Sequence, residues 1–436
     1  MMYGTLKDKI RKKTARIGIV GLGYVGLPLA VSFAEEGFRV TGIDLNKKRV
    51  KTLKTKASYI MDVDTESVGE LVSKKRLTAT SDYSLTRKLD VIIICVPTPL
   101  SKTKEPDISM IMASIENIIA KRKRGQLYVL ESTTYPGTTE EMLLPKFSDD
   151  SYKVDRDFFL AFSPERVDPR NRIFNTENIP KVVGGVTRKS TLLTKELYSN
   201  IVEKVICVSS SKVAEMAKLL ENTFRSVNIG LVNEMALMSE ALNVDIWEVI
   251  EAAGTKPFGF MSFYPGPGIG GHCINIDPLY LSWKASLHGF RSNFIEVADT
   301  INSSMPRYVV NKVIRAMNKR GKAVKDSKIM VLGVAYKKDI NDTRESPSLE
   351  IIRQLIQEKA VVNYSDPHVP RIKLDGSAMR SRRLSQRVLK KQDCVILATD
   401  HESYDYKAVL GSSKLIFDAR NAFNRYGLKS KKIVRL

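Results

Sequence analysis

The sequence predicts an α/β protein with two doubly wound parallel-sheet domains joined by a long central helical segment. Three observations carry this prediction. Short apolar runs alternate with helical stretches as far as residue 208. Ser211 to Ala253 then shows apolar residues at helical spacing and no strand signal. After Gly321 the alternation resumes.

In the first region Arg16 to Val20 reads as a strand, Gly21 to Gly26 as a turn, Leu27 to Glu36 as a helix and Phe38 to Ile43 as the next strand. Further strands are expected at Val91 to Val96, Leu127 to Glu131, Phe158 to Phe162 and Val205 to Val208, all in one parallel sheet. In the centre, Met216, Leu219, Leu220, Phe224, Val227 and Leu231 recur at helical spacing, continuing through Met235, Met238 and Leu242. Such a segment can carry a homodimer interface. In the last third, Lys328 to Leu332, Val361 to Ser365, Cys394 to Thr399 and Leu415 to Asp418 read as strands and Ser348 to Glu358 as a helix. The expected boundaries are 1–15 (a mobile basic tail), 16–208, 209–310 and 311–436.

Composition sets the class. The 436 residues are 43% apolar and 27% charged, which excludes disorder and coiled coil for the bulk of the chain. Formal net charge is +22, which favours anionic partners. Residues 307–328, 371–391 and 425–436 together carry +19 of it. The four cysteines show no CxxC and no Cys/His cluster. That predicts no disulfide framework, no metal and a reducing, cytoplasmic setting. Ile17 to Ala34 has no charge, but four glycines and Pro28 make it a poor membrane helix.

Gly21-Leu22-Gly23-Tyr24-Val25-Gly26 is a GxGxxG turn between strand and helix, and Asp44 ends the next strand. Glycines permit close approach of a pyrophosphate, and the helix N-terminus offers free N–H groups. Asp44 can accept from a ribose and repels a 2′-phosphate, which predicts NAD over NADP. Lys47, Lys48 and Arg49 weaken that repulsion.

Phe263 to Pro278 reads FYPGPGIGGHCINIDP. Gly266, Gly268, Gly270 and Gly271 bring backbone N–H groups toward a ligand, and Cys273 follows them. A thiol in such a loop is a competent nucleophile, and Asp277 lies one helical turn on. His272 either shapes the turn or tunes the thiol. Cys95, Cys207 and Cys394 sit in or beside apolar strands and read as core. His288, His368 and His401 have no evident partner in the sequence. NAD and a thiol together point to oxidation of an aldehyde through a thioester to an acid.

Seven motifs in one order carry a resemblance: GLGYVGLP at Gly21, VPTP at Val96, ESTTYPGTT at Glu131, SPER at Ser163, AEMAKLLENTFRSVNIGLVNE at Ala214, GIGGHCINIDP at Gly268 and KKDINDTRESP at Lys337. With them the chain, from about residue 16 onward, resembles the UDP-glucose/GDP-mannose dehydrogenases. GGHC followed by IDPLYLSWKA, with TKPFGF at Thr255, is most similar to the UDP-N-acetylglucosamine 6-dehydrogenase branch.

The resemblance implies two Rossmann-like domains and a two-step NAD-dependent oxidation at C6 of a UDP-sugar, UDP-N-acetylglucosamine being favoured over UDP-N-acetylmannosamine and UDP-glucose. It implies Cys273 as nucleophile, Lys218 and Asn222 at the reacting oxygen, Asp277 and Thr133 at a water, and Glu165 in thioester hydrolysis. Pro97, Thr98, Thr133 and Arg49 join the cofactor set. Arg166, Tyr264, Lys337, Arg344 and Arg420 join Glu165, Lys218, Asn222 and the loop glycines at the substrate. Asn275 stands where the branch usually has Pro, and Pro169 where some relatives have a second Glu.

The resemblance explains part of the basic last third. The remainder is expected as a solvated surface, or as a weak contact with acidic membrane. The rival of a different class is a non-catalytic protein binding NAD or nucleic acid. The basic stretches lack interleaved aromatics, which argues against specific nucleic-acid binding.

Overall fold

The computed structural model describes residues 2–436 apart from 61, 102–104, 168–172, 174, 175 and 272. The strands are β1 Arg16–Val20, β2 Arg39–Ile43, β3 Leu77–Thr80, β4 Val91–Ile94, β5 Gln126–Leu130, β6 Phe158–Phe162, β7 Lys181–Gly185 and β8 Val205–Cys207. There follow β9 Lys328–Leu332, β10 Val361–Ser365, β11 Arg371–Leu374, β12 Ser377–Arg380, β13 Cys394–Leu397, β14 Ile416–Asp418 and β15 Ile433–Arg435. The helices are α1 Met2–Arg11, α2 Gly26–Glu35, α3 Lys47–Lys54, α4 Thr65–Ser73, α5 Ser109–Ile119, α6 Leu144–Phe147, α7 Arg188–Tyr198 and α8 Ser211–Ala241. They continue as α9 Ile246–Gly254, α10 Cys273–Ser286, α11 Asn293–Asn318, α12 Pro347–Gln357, α13 Gln386–Lys390, α14 Tyr406–Ser412 and α15 Ala422–Arg425.

The chain forms two compact units. One comprises Met1–Glu221 with Leu279–Gly289, the other Asn222–Pro278 with Phe290–Leu436. The chain therefore passes between units inside α8, inside α10 and just before α11.

The first unit holds an eight-stranded sheet ordered β3-β2-β1-β4-β5-β6-β7-β8. Its first six strands follow the doubly wound dinucleotide-binding order, with the switch point between β1 and β4. β7 runs antiparallel to β6, which corrects the expectation of an all-parallel sheet. Strand direction leaves no trace in residue pattern. β7 was also hidden, because it opens on Lys181 and closes on two glycines.

The basic N-terminal segment is a helix, not a mobile tail. Leu6 and Ile10, four apart on α1, are buried among the basic residues. Lys9 pairs with Asp90 at 3.0 Å, and Arg11 with Glu196 at 2.9 Å.

The second unit holds a parallel five-stranded sheet, ordered β10-β9-β13-β14-β15, and a separate antiparallel ribbon of β11 and β12. Ile351, Ile352 and Leu355 on α12 recur at helical spacing and share a buried core with Ile329 and Val331 of β9. Among the described residues, no helix is long and apolar enough to cross a membrane.

Candidate active site

The first unit places the GxGxxG turn between β1 and α2, as its spacing predicts. Gly21 has φ +92°, and a Cβ there would lie 2.7 Å from the Cys95 carbonyl oxygen. A Cβ on Gly26 would lie 1.8 Å from the Gly21 carbonyl oxygen, whereas Gly23 faces open space. The turn is thus closed against the protein and open at the one glycine where a pyrophosphate approaches. Val25 precedes α2 and no side chain caps the helix, so its first N–H groups have no side-chain acceptor. The residues fit a dinucleotide. Tyr24 and Pro97 are exposed beside this edge, and Thr98 is buried. Tyr280 holds the Thr98 carbonyl through its hydroxyl at 2.5 Å.

Asp44 is buried, and its carboxylate is occupied. It accepts from the Leu22 N–H at 2.9 Å and the Asn46 N–H at 2.7 Å, and it pairs with Arg49 at 3.1 Å. Asp44 therefore fixes the glycine turn as well as offering an acceptor to a ribose. Arg49 partly neutralises it.

At the C-terminal ends of β5 and β6, two residues before Thr133 in the case of Glu131, lies a charge network that sequence reasoning missed. Lys181 is buried and reaches Glu131 at 2.6 Å and Glu165 at 3.2 Å. The Tyr198 hydroxyl donates to Glu131 at 2.8 Å. Glu165 Oε1 accepts from the N–H groups of Arg166 and Val167, each at 2.8 Å. Burial opposes the charged form of Glu165, but Lys181, the Val167 N–H and Lys218 outweigh it and hold the carboxyl below its ordinary value. Lys218, buried on α8, donates to the Glu165 carbonyl at 2.7 Å. Arg166, expected at the substrate, clamps Glu221 through two nitrogens (2.6 and 3.2 Å) and donates to the Pro180 carbonyl at 2.6 Å. It fastens its loop to α8.

One turn before Lys218, Glu215 accepts from the Gly137 N–H (2.6 Å), the Thr139 N–H (2.9 Å) and the Thr139 hydroxyl (2.7 Å). Burial outweighs these donors and pushes its carboxyl up to about 7. A carboxyl raised in the fold contributes stability fully below its unfolded pKa and loses it as pH rises through the folded value. Between about pH 5 and about pH 8, wild type is expected to lose roughly 2 kcal/mol relative to Glu215→Gln. Urea unfolding of both proteins across that range checks this, and parallel profiles would sink it.

In the second unit Cys273 is exposed and is the first residue of α10. A helix N-terminus favours a thiolate there. Asn222 donates to the buried Asp277 at 2.5 Å. The loop glycines serve packing more than expected. The Gly266 N–H is taken by Asn233 and the Gly271 N–H by the Arg344 carbonyl, at 2.9 and 3.0 Å. A Cβ on Gly270 would lie 2.4 Å from Tyr336 Cβ, and one on Gly268 would lie 3.1 Å from the Asn302 carbonyl oxygen. Asn275, in place of the expected Pro, donates to the Ile269 carbonyl at 2.9 Å, so a hydrogen bond braces the loop before Cys273. His272 and Pro169 lie outside the described residues.

Lys337 and Arg344 lie on the loop after β9, and Arg420 follows β14. Arg344 grips Asp342 at 2.6 Å, and that hydrogen bond raises its pKa. Arg420 donates to the Ala398 carbonyl at 2.9 Å, and burial lowers its pKa. Tyr264 is half exposed and stacks on Trp247.

Two readings of cysteine and histidine are corrected. Cys207 is exposed, because β8 is an edge strand. His401 has partners: Nε2 meets Asp366 at 3.0 Å, and Nδ1 accepts from the Asp339 N–H at 2.8 Å. Asp339, His368 and His401 bring possible metal donors together. The Asp339 N–H already fills His401 Nδ1, so the trio serves as a clasp between loops.

Three family models match the chain in succession. The NAD binding domain of the UDP-glucose/GDP-mannose dehydrogenase family covers residues 15–202, its central domain 212–304 and its UDP binding domain 330–425. The UDP-N-acetyl-D-mannosamine dehydrogenase of Methanococcus maripaludis is 33% identical over 93% of this chain and 92% of its own. The UDP-N-acetyl-D-glucosamine 6-dehydrogenase of Pseudomonas aeruginosa is 37% identical over 82% and 84%. The solved UDP-D-ManNAc dehydrogenase of Pyrococcus horikoshii gives a TM-score of 0.87 at 32% identity, covering 96% of this chain and 98% of that one.

Proposed function

Because the chain belongs to the UDP-glucose/GDP-mannose dehydrogenase family, a family of NAD-dependent oxidoreductases, we propose that it oxidises C6 of UDP-N-acetylglucosamine twice, from alcohol to carboxylate. The observation that carries the chemistry is Cys273, an exposed thiol at the start of α10 behind a braced glycine loop. The Methanococcus and Pyrococcus relatives favour UDP-N-acetylmannosamine as the second reading. The two sugars differ in configuration at C2.

NAD, when bound on the Gly21–Gly26 turn, supplies the hydride acceptor for both oxidations. The chain's own residues do the rest. In the first oxidation the C6 hydroxyl gives its proton to water and loses hydride, leaving the aldehyde, while Lys218 and Asn222, four apart on α8, offer an ammonium and an amide to the oxygen as it gains negative charge. The Cys273 thiolate adds to the C6 aldehyde, forming a C–S bond and an oxyanion. Loss of hydride from C6 leaves a thioester. Water oriented by Thr133 and Asp277 then attacks, giving one proton to Glu165. The C–S bond breaks, the thiolate returns, and the acid ionises. Glu165 is held anionic, as a base must be. Lys337, Arg344 and Arg420 face the diphosphate, and Arg344 exchanges Asp342 for phosphate oxygens.

The test is NADH yield with each UDP-sugar limiting. Two NADH per UDP-N-acetylglucosamine are expected. Turnover of the mannosamine epimer alone would replace the substrate and leave the mechanism standing.

The partner is a second copy. On α8, Leu220, Phe224, Leu231 and Met238 are exposed, and at about 100° per residue they fall within an arc of about 40°. Such a stripe of large side chains is covered in stable homodimers. Leu231→Glu is expected to halve the mass seen by light scattering at unchanged helix content, and an unchanged mass would sink the interface. A reducing cytoplasm suits the four cysteines, none of them in a disulfide.

A further inference from the structure

We propose that the β11–β12 ribbon and α13 form a docking surface for an acidic lipid bilayer. Residues 371–391 carry eight Lys and Arg against one carboxylate, Asp375. That carboxylate is taken by Arg353 at 2.9 Å. All eight cations are exposed, and among the described residues none of them reaches a carboxylate. Ile372 and Leu374 turn into the core, which sends Arg371 and Lys373 to the solvent face. There Arg371 stands directly opposite Arg380 in the register. Like charges placed directly across a ladder destabilise it. The ribbon holds this arrangement with no carboxylate to relieve it, and α13 adds Arg387 and Lys390 on its exposed side.

A cluster of this size and sign is attracted to the negative surface of a bilayer, and the attraction fades within a Debye length. A nucleic acid is the poorer match. The segment contains no Phe, Trp or Tyr on which bases could stack. The surface lies apart in sequence from the residues assigned to the reaction, so the inference does not rest on the dehydrogenase reading.

The test is co-sedimentation of the full chain with vesicles of two parts phosphatidylcholine to one part phosphatidylglycerol, beside vesicles of phosphatidylcholine alone. Binding to the acidic vesicles only is expected, with release when salt rises from about 0.1 M to about 0.5 M. Removing Arg371, Lys373, Arg380 and Arg383 together, each to Gln, is expected to weaken partition at least about tenfold. A control that removes four exposed cations elsewhere (Lys12, Lys54, Lys189 and Lys195, each to Gln) is expected to change it by less than about twofold. Equal losses in the two variants would overturn the proposal in favour of diffuse net charge. Equal binding to neutral vesicles, no binding, or tighter capture by duplex DNA than by acidic vesicles would also overturn it.

Discussion

Cys273→Ala is expected to abolish the second NADH per UDP-sugar and to lower steady-state turnover to the acid by at least about a thousandfold, with NAD binding unchanged. The size of the loss follows from the chemistry. Hydride leaves C6 a second time only from a tetrahedral carbon, which on the proposed route the Cys273 thiolate supplies. No other thiol lies in the loop. Asp277 is buried and held by Asn222, so it cannot substitute as nucleophile. Stopped-flow absorbance on NADH reads the rate, and protein fluorescence titration reads NAD binding. Loss of both together would mean that the variant is misfolded. Retention of a tenth of the rate would remove the covalent route and leave a direct oxidation of the hydrated aldehyde.

Lys181→Met is expected to destabilise the first unit by about 3–5 kcal/mol, the range for removing one partner of a buried ion pair. The substitution leaves Glu131 and Glu165, at the ends of β5 and β6, without the ammonium that holds both at 2.6 and 3.2 Å. The pH dependence carries a sign. In the wild type the Glu165 carboxyl lies below its ordinary value, so its pairing stabilises the fold above the carboxylate range and is lost as pH falls. The gap between variant and wild type should therefore narrow on acidification. Adding Glu131→Gln to Lys181→Met should recover about half of the loss, because one of the two stranded charges is gone. Chemical unfolding of the three proteins at neutral and acidic pH checks this. A gap independent of pH would assign the cost to packing instead of charge.

The parts that were legible in the sequence are those whose requirement is local. Gly21 and Gly26 announce a turn that only glycine fits, and the flanking apolar runs say that a strand enters and a helix leaves it. The thiol loop is legible for the same reason: Gly268 and Gly271 have positive φ, and Cys273 opens the helix that its spacing to Asp277 suggested. What was hidden is pairing across distance. Lys181, Glu131 and Glu165 follow no period, and nothing in their spacing brings them together. Glu215 shares a helix with Lys218, yet its partners Gly137 and Thr139 lie far back in the chain. Cys207 was misread because an apolar triplet does not tell an edge strand from a central one. α1 was missed because two apolar residues were outnumbered by the basic residues around them.

Leu279–Gly289 has a consequence for anyone dividing the protein by cloning. This stretch belongs to the first unit although it follows the second unit's opening segment. It supplies the Tyr280 hydroxyl to the Thr98 carbonyl, the Trp283 ring to Tyr135 at 5.0 Å and the Lys284 ammonium to Glu141 at 2.6 Å. A fragment truncated after Glu221 would lack all three contacts, one of them to Thr98 and one to Tyr135, two residues after Thr133. The complementary fragment would begin in mid-helix and carry the missing stretch as an orphan. No single stop codon or start codon yields either unit whole. A nicotinamide-binding half for screening would need residues 279–289 grafted back through a short linker, or supplied as a separate peptide.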